Sequence, residues 1–435
     1  MNKIERLLHT LAPKGVEFRK LGEVLEYDQP NKYCVTSKEF DKSYPTPVLT
    51  AGKTFILGYT NEKDNIYQVS KSSPVIIFDD FTTATQWVDF PFKVKSSAMK
   101  ILLPKNPTIN IRFIFFYMQT IPYNISGEHT RQWISRYSQL EVPIPPLEIQ
   151  QEIVKILDAF TELNTELNTE LNTELKARKK QYQYYQNMLL DFNDINSNHK
   201  DAKEKLAQKT YPKNLKTLLQ TLAPKGVEFR KLGEIGEYIR GVTYKKNQEI
   251  NNLECGIKVL RANNITLSNH LIFEDIKVIN KNVKIRKEQY LKKNDILICA
   301  GSGSSEHIGK VAFINMDFDY VFGGFMGVIR IRGVNSRFVY HIFTSNIFKQ
   351  YLEKSLNTTT INNLNANILQ NFLIPIPPLE IQQEIVKILD QFLALTTDLQ
   401  TGIPAEIEAR KKQYEYYREK LLSFKPLTPH KEIKK

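Results

Sequence analysis

The sequence predicts an α+β chain in which two mixed, β-rich domains are separated by two long antiparallel helices, the whole arising from a duplication with pseudo-two-fold character. Three observations lead there. Two blocks recur almost letter for letter, the second block carries helical periodicity, and the stretches between blocks contain short apolar runs of strand composition.

The first block, LAPKGVEFRKLGE, occupies Leu11–Glu23 and returns at Leu222–Glu234, an offset of 211. The second, PIPPLEIQQEIVKILD, occupies Pro143–Asp158 and returns at Pro375–Asp390, an offset of 232. It is followed in both copies by ARKKQY, at Ala177–Tyr182 and Ala409–Tyr414. The offsets differ by 232 − 211 = 21, so the second intervening stretch is 21 residues longer, and 24–142 shows no obvious likeness to 235–374. A framework repeated around dissimilar middles suggests one scaffold carrying two different reading heads.

The boundaries that follow are 1–142, a first variable domain with a short framework; 143–192, a first spacer helix; and 193–216, a polar linker. They continue as 217–373, a second variable domain; 374–424, a second spacer helix interrupted near 402–404; and 425–435, a basic tail.

In the first helix, Glu148 and Glu152 follow the Pro145-Pro146 stop, where the helix dipole favours negative charge. Ile149, Ile153, Ile156, Phe160, Leu163, Leu167, Leu171 and Leu175 then make one apolar stripe. A helix over 148–192 would be about 67 Å long. Its centre is TELNTELNTELNTEL (Thr161–Leu175), a repeat that changes length without changing chemistry. In the second helix the stripe continues as Leu395, Leu399, Ile403 and Ile407, but Gly402 and Pro404 predict a kink or split.

In the middles, Pro74–Phe78, Ile111–Phe116, Asp295–Cys299, Val311–Ile314 and Met326–Ile331 read as strands. The net charge of +13 points to a polyanionic partner. Polar, basic segments between the apolar runs hold the side chains that bond bases and phosphates. In the first middle the candidates are Lys53, Thr82, Thr83, Thr85, Gln86, Lys93, Lys95, Arg131 and Gln132. In the second they are Arg240, Tyr244, Lys245, Arg261, Asn263, Asn264, Ser302, Ser304, Thr358, Thr359 and Thr360. Against B-DNA, each TELN unit adds about 6 Å of helix, one to two base steps.

Catalytic and metal motifs fail one by one. Ala51-Gly-Lys-Thr54 lacks the first glycine of a phosphate loop, since position 47 is Pro. Gly301-Ser-Gly-Ser lacks the third glycine of a dinucleotide fingerprint. Pro143–Leu147 lacks the asparagine and the aromatic of an amino-methyltransferase motif and serves as a helix start. Seven histidines make no metal-binding spacing, and Cys34, Cys255 and Cys299 read as reduced thiols. No segment has the apolar length of a membrane span, and the start is not a signal peptide, so cytoplasm and no membrane partner are expected.

The variable domains separated by PIPPLEIQQEIVKILD helices, the tetrapeptide repeats and the ARKKQYxYY ending resemble the DNA-specificity subunit of type I restriction–modification enzymes over essentially the whole chain. Phe81-Thr-Thr-Ala with Trp87–Phe92 is similar to one type of target recognition domain, and Lys258–Asn264 to another.

The resemblance implies a non-catalytic chain that reads a bipartite asymmetric target in double-stranded DNA. Each domain would read one half, with the helices setting the gap. It also implies two methyltransferase subunits bringing S-adenosylmethionine and two restriction subunits using ATP and Mg, with no cofactor in this chain. Tyr182, Tyr185, Leu189, Tyr414, Tyr417 and Leu421 lie at helical spacing, either as a methyltransferase docking surface or as packing between the helices. The rival readings are a self-sufficient DNA methyltransferase and a non-specific coiled-coil DNA-binding scaffold.

Overall fold

The computed structural model describes residues 3–50, 54–122, 131–192, 211–250, 255–302, 305–356 and 364–427. It divides into two compact units, Met1–Glu170 with Pro404–Lys435 (unit 1) and Leu171–Ile403 (unit 2).

In unit 1 a helix, Lys3–Leu11, leads into strand Glu17–Lys20, which pairs antiparallel with Glu141–Ile144. Between those strands, Leu25–Asp28, Met99–Pro104, Val75–Asp79 and Thr85–Val88 form an antiparallel sheet in that order. A second sheet orders Ile56–Thr60, Thr46–Leu49 and Lys93–Val94, the last pair parallel.

Within Val75–Asp79 the first four residues are a continuous apolar run because the strand is covered on both faces. Ile76 and Phe78 pack with Phe113, Phe116 and Trp133, whereas Val75 and Ile77 pack with Val88, Phe92 and Val94. Ile111–Phe116, expected as a strand, is instead part of a helix, Ile111–Met118. Asn110 caps it by accepting from the N–H groups of Arg112 and Phe113.

Unit 2 repeats the plan. Helix Lys213–Leu222 precedes strand Glu228–Lys231, which pairs antiparallel with Leu373–Ile376. One sheet orders Gly236–Arg240, Met326–Ile331, Ile296–Cys299 and Val311–Phe313. The other orders Glu249–Ile250, Lys277–Ile279, Ile257–Leu260 and Tyr320–Phe322. The stretch expected as a polar linker up to 216 enters the first helix of this unit, with Tyr211 and Leu215 in its core.

The long helices run Leu147–Leu190 and Leu379–Leu422, each 44 residues. In unit 1 the start of the first packs against the end of the second: Phe160 stacks on Tyr417 with centroids 5.7 Å apart, and Thr161 Oγ1 lies 3.5 Å from the Tyr414 hydroxyl. In unit 2 the matching stack is Tyr185 on Phe392 at 4.7 Å. Ile149, Ile153 and Leu157, like Ile381, Ile385 and Leu389, are fully buried.

The stripe thins within the repeats, where Leu163 is 55% exposed. Thr161, Thr165 and Thr169 each return a hydroxyl bond to the carbonyl four residues earlier, at 2.8 Å.

The interruption expected near 402–404 does not split the second helix, which contains Pro404. Proline removes the N–H that would reach the Gln400 carbonyl and its ring crowds that carbonyl, a local cost of about 3 kcal/mol. More than four helical turns lie on each side of it, and each side propagates its own hydrogen bonds. The residues expected as a tail also begin in structure: the Val16 N–H donates to the Lys425 carbonyl at 2.9 Å and the Leu427 N–H to the Val16 carbonyl at 3.0 Å.

Candidate nucleic-acid interface

In unit 1 the polar segments are gathered by Asp80, a buried residue that sequence reading passed over. Its N–H donates to the Ala98 carbonyl at 3.2 Å and its carbonyl accepts from Gln132 N–H at 2.8 Å. Its Oδ1 accepts from Trp133 N–H at 2.8 Å. Segments 79–84, 95–98 and 131–133 therefore meet around one residue, through its backbone and its carboxylate. Lys100 Nζ lies 3.6 Å from Asp80 Oδ2. Burial pushes the Lys100 ammonium below its ordinary value, Asp80 opposes this, and the Arg131 charge adds to it.

The neighbouring Asp79 shapes the turn. Its Oδ1 accepts from the N–H groups of Phe81 and Thr82 at 2.9 and 3.2 Å, and its Oδ2 accepts the Thr82 hydroxyl at 2.5 Å. Thr83 closes the turn at φ 60°, its N–H donating to the Asp79 carbonyl at 2.9 Å, and it is buried and so not a surface contact. Thr82, Gln86, Lys95 and Arg131 remain exposed and Thr85 is half-buried.

Two further candidates in this unit are corrected. Lys93 is 1% exposed, paired with Glu62 at 2.7 Å and donating to the Asp64 carbonyl at 2.9 Å. Burial of Glu62 opposes its ionisation, but the Lys93 ammonium and the bonds from Ser37 and Thr36 override that and hold its carboxyl at about 2. Gln132 is likewise buried, inside the short helix after Arg131. Alternating basic residues give no sign of which one points inward.

Unit 2 has a cleft of about 960 Å³ that brings together five candidates: Arg240, Tyr244, Arg261, Asn263 and Ser302. Lys246 and Lys277 join them, so four cationic side chains face a single carboxylate, Glu249. The floor is backbone, a bridge from Val242 to Gly323. A Cβ at Gly241 would lie 2.1 Å from the Gly323 carbonyl oxygen, so only glycine permits this approach.

Arg261 is aimed by Asp275, whose carbonyl and Oδ2 accept from Nη2 at 2.9 and 2.7 Å. Burial, then Glu249, raises the Tyr244 phenol, which therefore stays neutral. Lys245 is exposed beside the cleft.

Asn264 is a correction. It is fully buried, accepting from Arg261 N–H at 2.9 Å and donating to the Ile272 and Glu274 carbonyls at 3.2 and 2.8 Å. A side chain with its bonds spent inside cannot read a base edge. Lys53, Ser304, Thr358, Thr359 and Thr360 lie outside the described residues.

The aromatic stripes divide in favour of internal packing. Leu189 is fully buried, and Tyr182 packs on the same core. The Tyr182 hydroxyl pairs with His341 Nδ1 at 3.3 Å, and burial pushes its phenol well above the ordinary value. Tyr185 is spent on Phe392. In unit 1, Tyr414 and Leu421 pack on the core, while Tyr417 stacks on Phe160 yet keeps 39% exposure. The outward positions are Tyr184 and Tyr416, 59% and 58% exposed, equivalent in the repeat by the offset of 232.

Among the described residues no group of three or more His, Cys, Asp or Glu could hold a metal ion, and no helix is long and apolar enough to cross a membrane. The family profile described as "Type I restriction modification DNA specificity domain" matches residues 13–177 and 224–409, one match for each copy of the duplication. The chain belongs to the type I restriction–modification DNA-specificity family. It is a specificity subunit, the family's DNA-recognition component and not its enzyme.

A curated relative, the EcoR124I/EcoR124II specificity subunit of Escherichia coli, is 38% identical over 98% of this chain and 98% of its own. A putative type I specificity subunit of Haemophilus influenzae is 33% identical over 95% of this chain and 97% of its own. A solved structure from a study of assembly and conformational transition of the type I restriction–modification system shares the fold. Its TM-score is 0.61 at 17% identity, covering 94% of this chain and 98% of that one. In this specificity subunit the inserted middles hold the cleft and the Asp80 hub, while the repeated frameworks bury one apolar stripe and keep Tyr184 and Tyr416 exposed.

Proposed function

We propose that this specificity subunit reads a bipartite, asymmetric sequence in double-stranded DNA, one half with each unit, and that its long helices set the unspecified gap. The observation that carries the reading is the unit 2 cleft, where four cations, a neutral tyrosine and an exposed asparagine surround a glycine-lined floor. Cations hold phosphates and set register, while arginine and asparagine can bond base edges. In unit 1 the corresponding surface is Thr82, Gln86, Lys95 and Arg131 around the Asp80 hub.

The proposal extends to assembly in the cytoplasm. Two methyltransferase subunits carrying S-adenosylmethionine would dock on the helices, with the exposed Tyr184 and Tyr416 in the docking faces. Two restriction subunits using ATP and Mg would join them. The repeat supplies the ruler, since each added TELN lengthens its helix by about 6 Å, one to two base steps.

The test is sequencing of methylated bases in DNA from a host carrying this chain and its methyltransferase, against a host lacking the chain. A split motif that depends on the chain is the expected result; methylation unchanged without it overturns the reading. A variant with one extra TELN is expected to keep both half-sites and widen only the gap, and an unchanged gap removes the ruler.

A further inference from the structure

Phe325 is 74% exposed, more than any other large apolar side chain among the described residues. Leaving such a ring in water forgoes roughly 1.5–3 kcal/mol of burial. The exposure is not that of a loose loop, because the backbone around it is pinned on every side. The Phe325 carbonyl accepts from Ala300 N–H at 2.9 Å and Gly301 N–H at 3.0 Å. Gly323 N–H donates to the Leu260 carbonyl at 2.9 Å, and Gly241 N–H to the Met326 carbonyl at 3.0 Å. Three segments hold a short Gly-Gly-Phe projection in place, and its ring is left mostly in solvent.

The ring also stands at a divide. It lines both the 960 Å³ cleft and a neighbouring cleft of about 680 Å³, and Arg240 lines both as well. An apolar partner protein would meet Arg240, Lys246, Arg261 and Lys277 at the same contact and would have to desolvate them. DNA satisfies both demands at once, with flat faces for the ring and phosphates for the cations.

We propose that Phe325 is a wedge that inserts at a base step of the half-site bound by unit 2 and stacks on the base it unstacks. The inference rests on the DNA-reading role proposed above and adds a mode of recognition: part of the specificity would come from how easily one step opens, beyond hydrogen bonds to base edges.

The experiment uses the full chain with its methyltransferase subunits and duplexes carrying the motif obtained by methylated-base sequencing. 2-Aminopurine, whose fluorescence rises on unstacking, is placed at successive positions other than the methylated base. The wild type is expected to raise fluorescence severalfold at one step of one half-site. Phe325→Ala is expected to abolish that rise and weaken specific binding about tenfold, about 1.4 kcal/mol. Phe325→Trp is expected to retain both, and all three proteins to melt alike because the side chain is outside the core.

A rise that persists in Phe325→Ala, no rise at any step, or unchanged affinity overturns the wedge. A host whose methylation ignores the chain overturns the DNA-reading role, which is a separate failure detected before any duplex is made.

Discussion

In unit 1, Asn110 caps the helix Ile111–Met118, and its own N–H donates to Gln150 Oε1 at 2.8 Å, while Gln150 Nε2 donates to the Pro145 carbonyl at 2.7 Å. In unit 2, Asn335 caps Ser336–Phe343, its N–H reaches Gln382 Oε1 at 2.9 Å, and Gln382 Nε2 reaches the Pro377 carbonyl at 2.7 Å. Arg112 pairs with Asp158 at 2.7 Å, and Arg337 with Asp390 at 2.8 Å. The latch between variable domain and framework helix is the same, although the domains around it have diverged.

It differs in its finish. Arg112 lies over Trp87, Phe115 and Phe116 at 4.4, 5.0 and 4.7 Å. Arg337 lies over Phe313 and Tyr340, both at 4.8 Å. Six residues past the cap, unit 1 has Phe116 and unit 2 has His341, whose Nε2 pairs with Asp390 at 2.9 Å. The cap, the glutamine and the arginine–aspartate pair are common to both units, whereas the position six past the cap differs, and in unit 2 it adds a further bond to the framework.

Breaking the shared part should give the largest effect. Gln150→Leu and Gln382→Leu each leave a half-buried backbone N–H and a buried proline carbonyl without their glutamine partner, and each should cost about 2–3 kcal/mol. Chemical denaturation that finds one variant neutral would show that the latch is not common to both units.

The arginine step is smaller and should be unequal. Arg112→Ala should cost about 1–2 kcal/mol and Arg337→Ala about 1 kcal/mol, because Asp390 keeps His341 and the pairs are partly exposed to solvent. Equal losses would remove any compensating role for His341.

The finest distinction is in pH. Burial pushes His341 below its ordinary value, although the Asp390 bond opposes this, with Arg337 and Tyr182 as its other neighbours. From about pH 6.5 down to the lower folded value, the unfolded chain takes up a proton that native unit 2 refuses, so stability falls as the pH drops through that window. His341→Phe, which copies unit 1, should flatten the dependence of Tm on pH between 6.5 and 5. A slope identical to that of wild type would place its origin elsewhere.

The framework was legible because Ile149, Ile153 and Leu157 repeat at helical spacing and recur letter for letter in the second copy. Ile111–Phe116 misled because five apolar residues around one arginine show no clear period, and Asn110 just before them was the cap signal. Asn-x-Arg-Phe occurs at 110–113 and again at 335–338, a link between two otherwise unlike middles that sequence reading missed. Lys93, Gln132 and Asn264 were read as surface contacts because a polar letter in a loop does not say which way it faces. Only partners distant in sequence, such as Glu62 or the Glu274 carbonyl, decide that. Asp80 was invisible for the same reason, since its role is to join segments that the chain keeps apart.

Strand Glu17–Lys20 lies zipped against Glu141–Ile144, and Glu228–Lys231 against Leu373–Ile376. The chain therefore leaves the framework and comes back to it through neighbouring rows of one ladder. Seen from the framework, whatever lies between is a closed excursion whose contour length never enters the geometry of the gateway. This is why the second excursion carries 21 more residues without disturbing the gateway, and the logarithmic entropy of closing a longer loop would make further lengthening cheap as well. The gateway acts as a socket of fixed gauge: it specifies how a domain is plugged in and leaves open what the domain is.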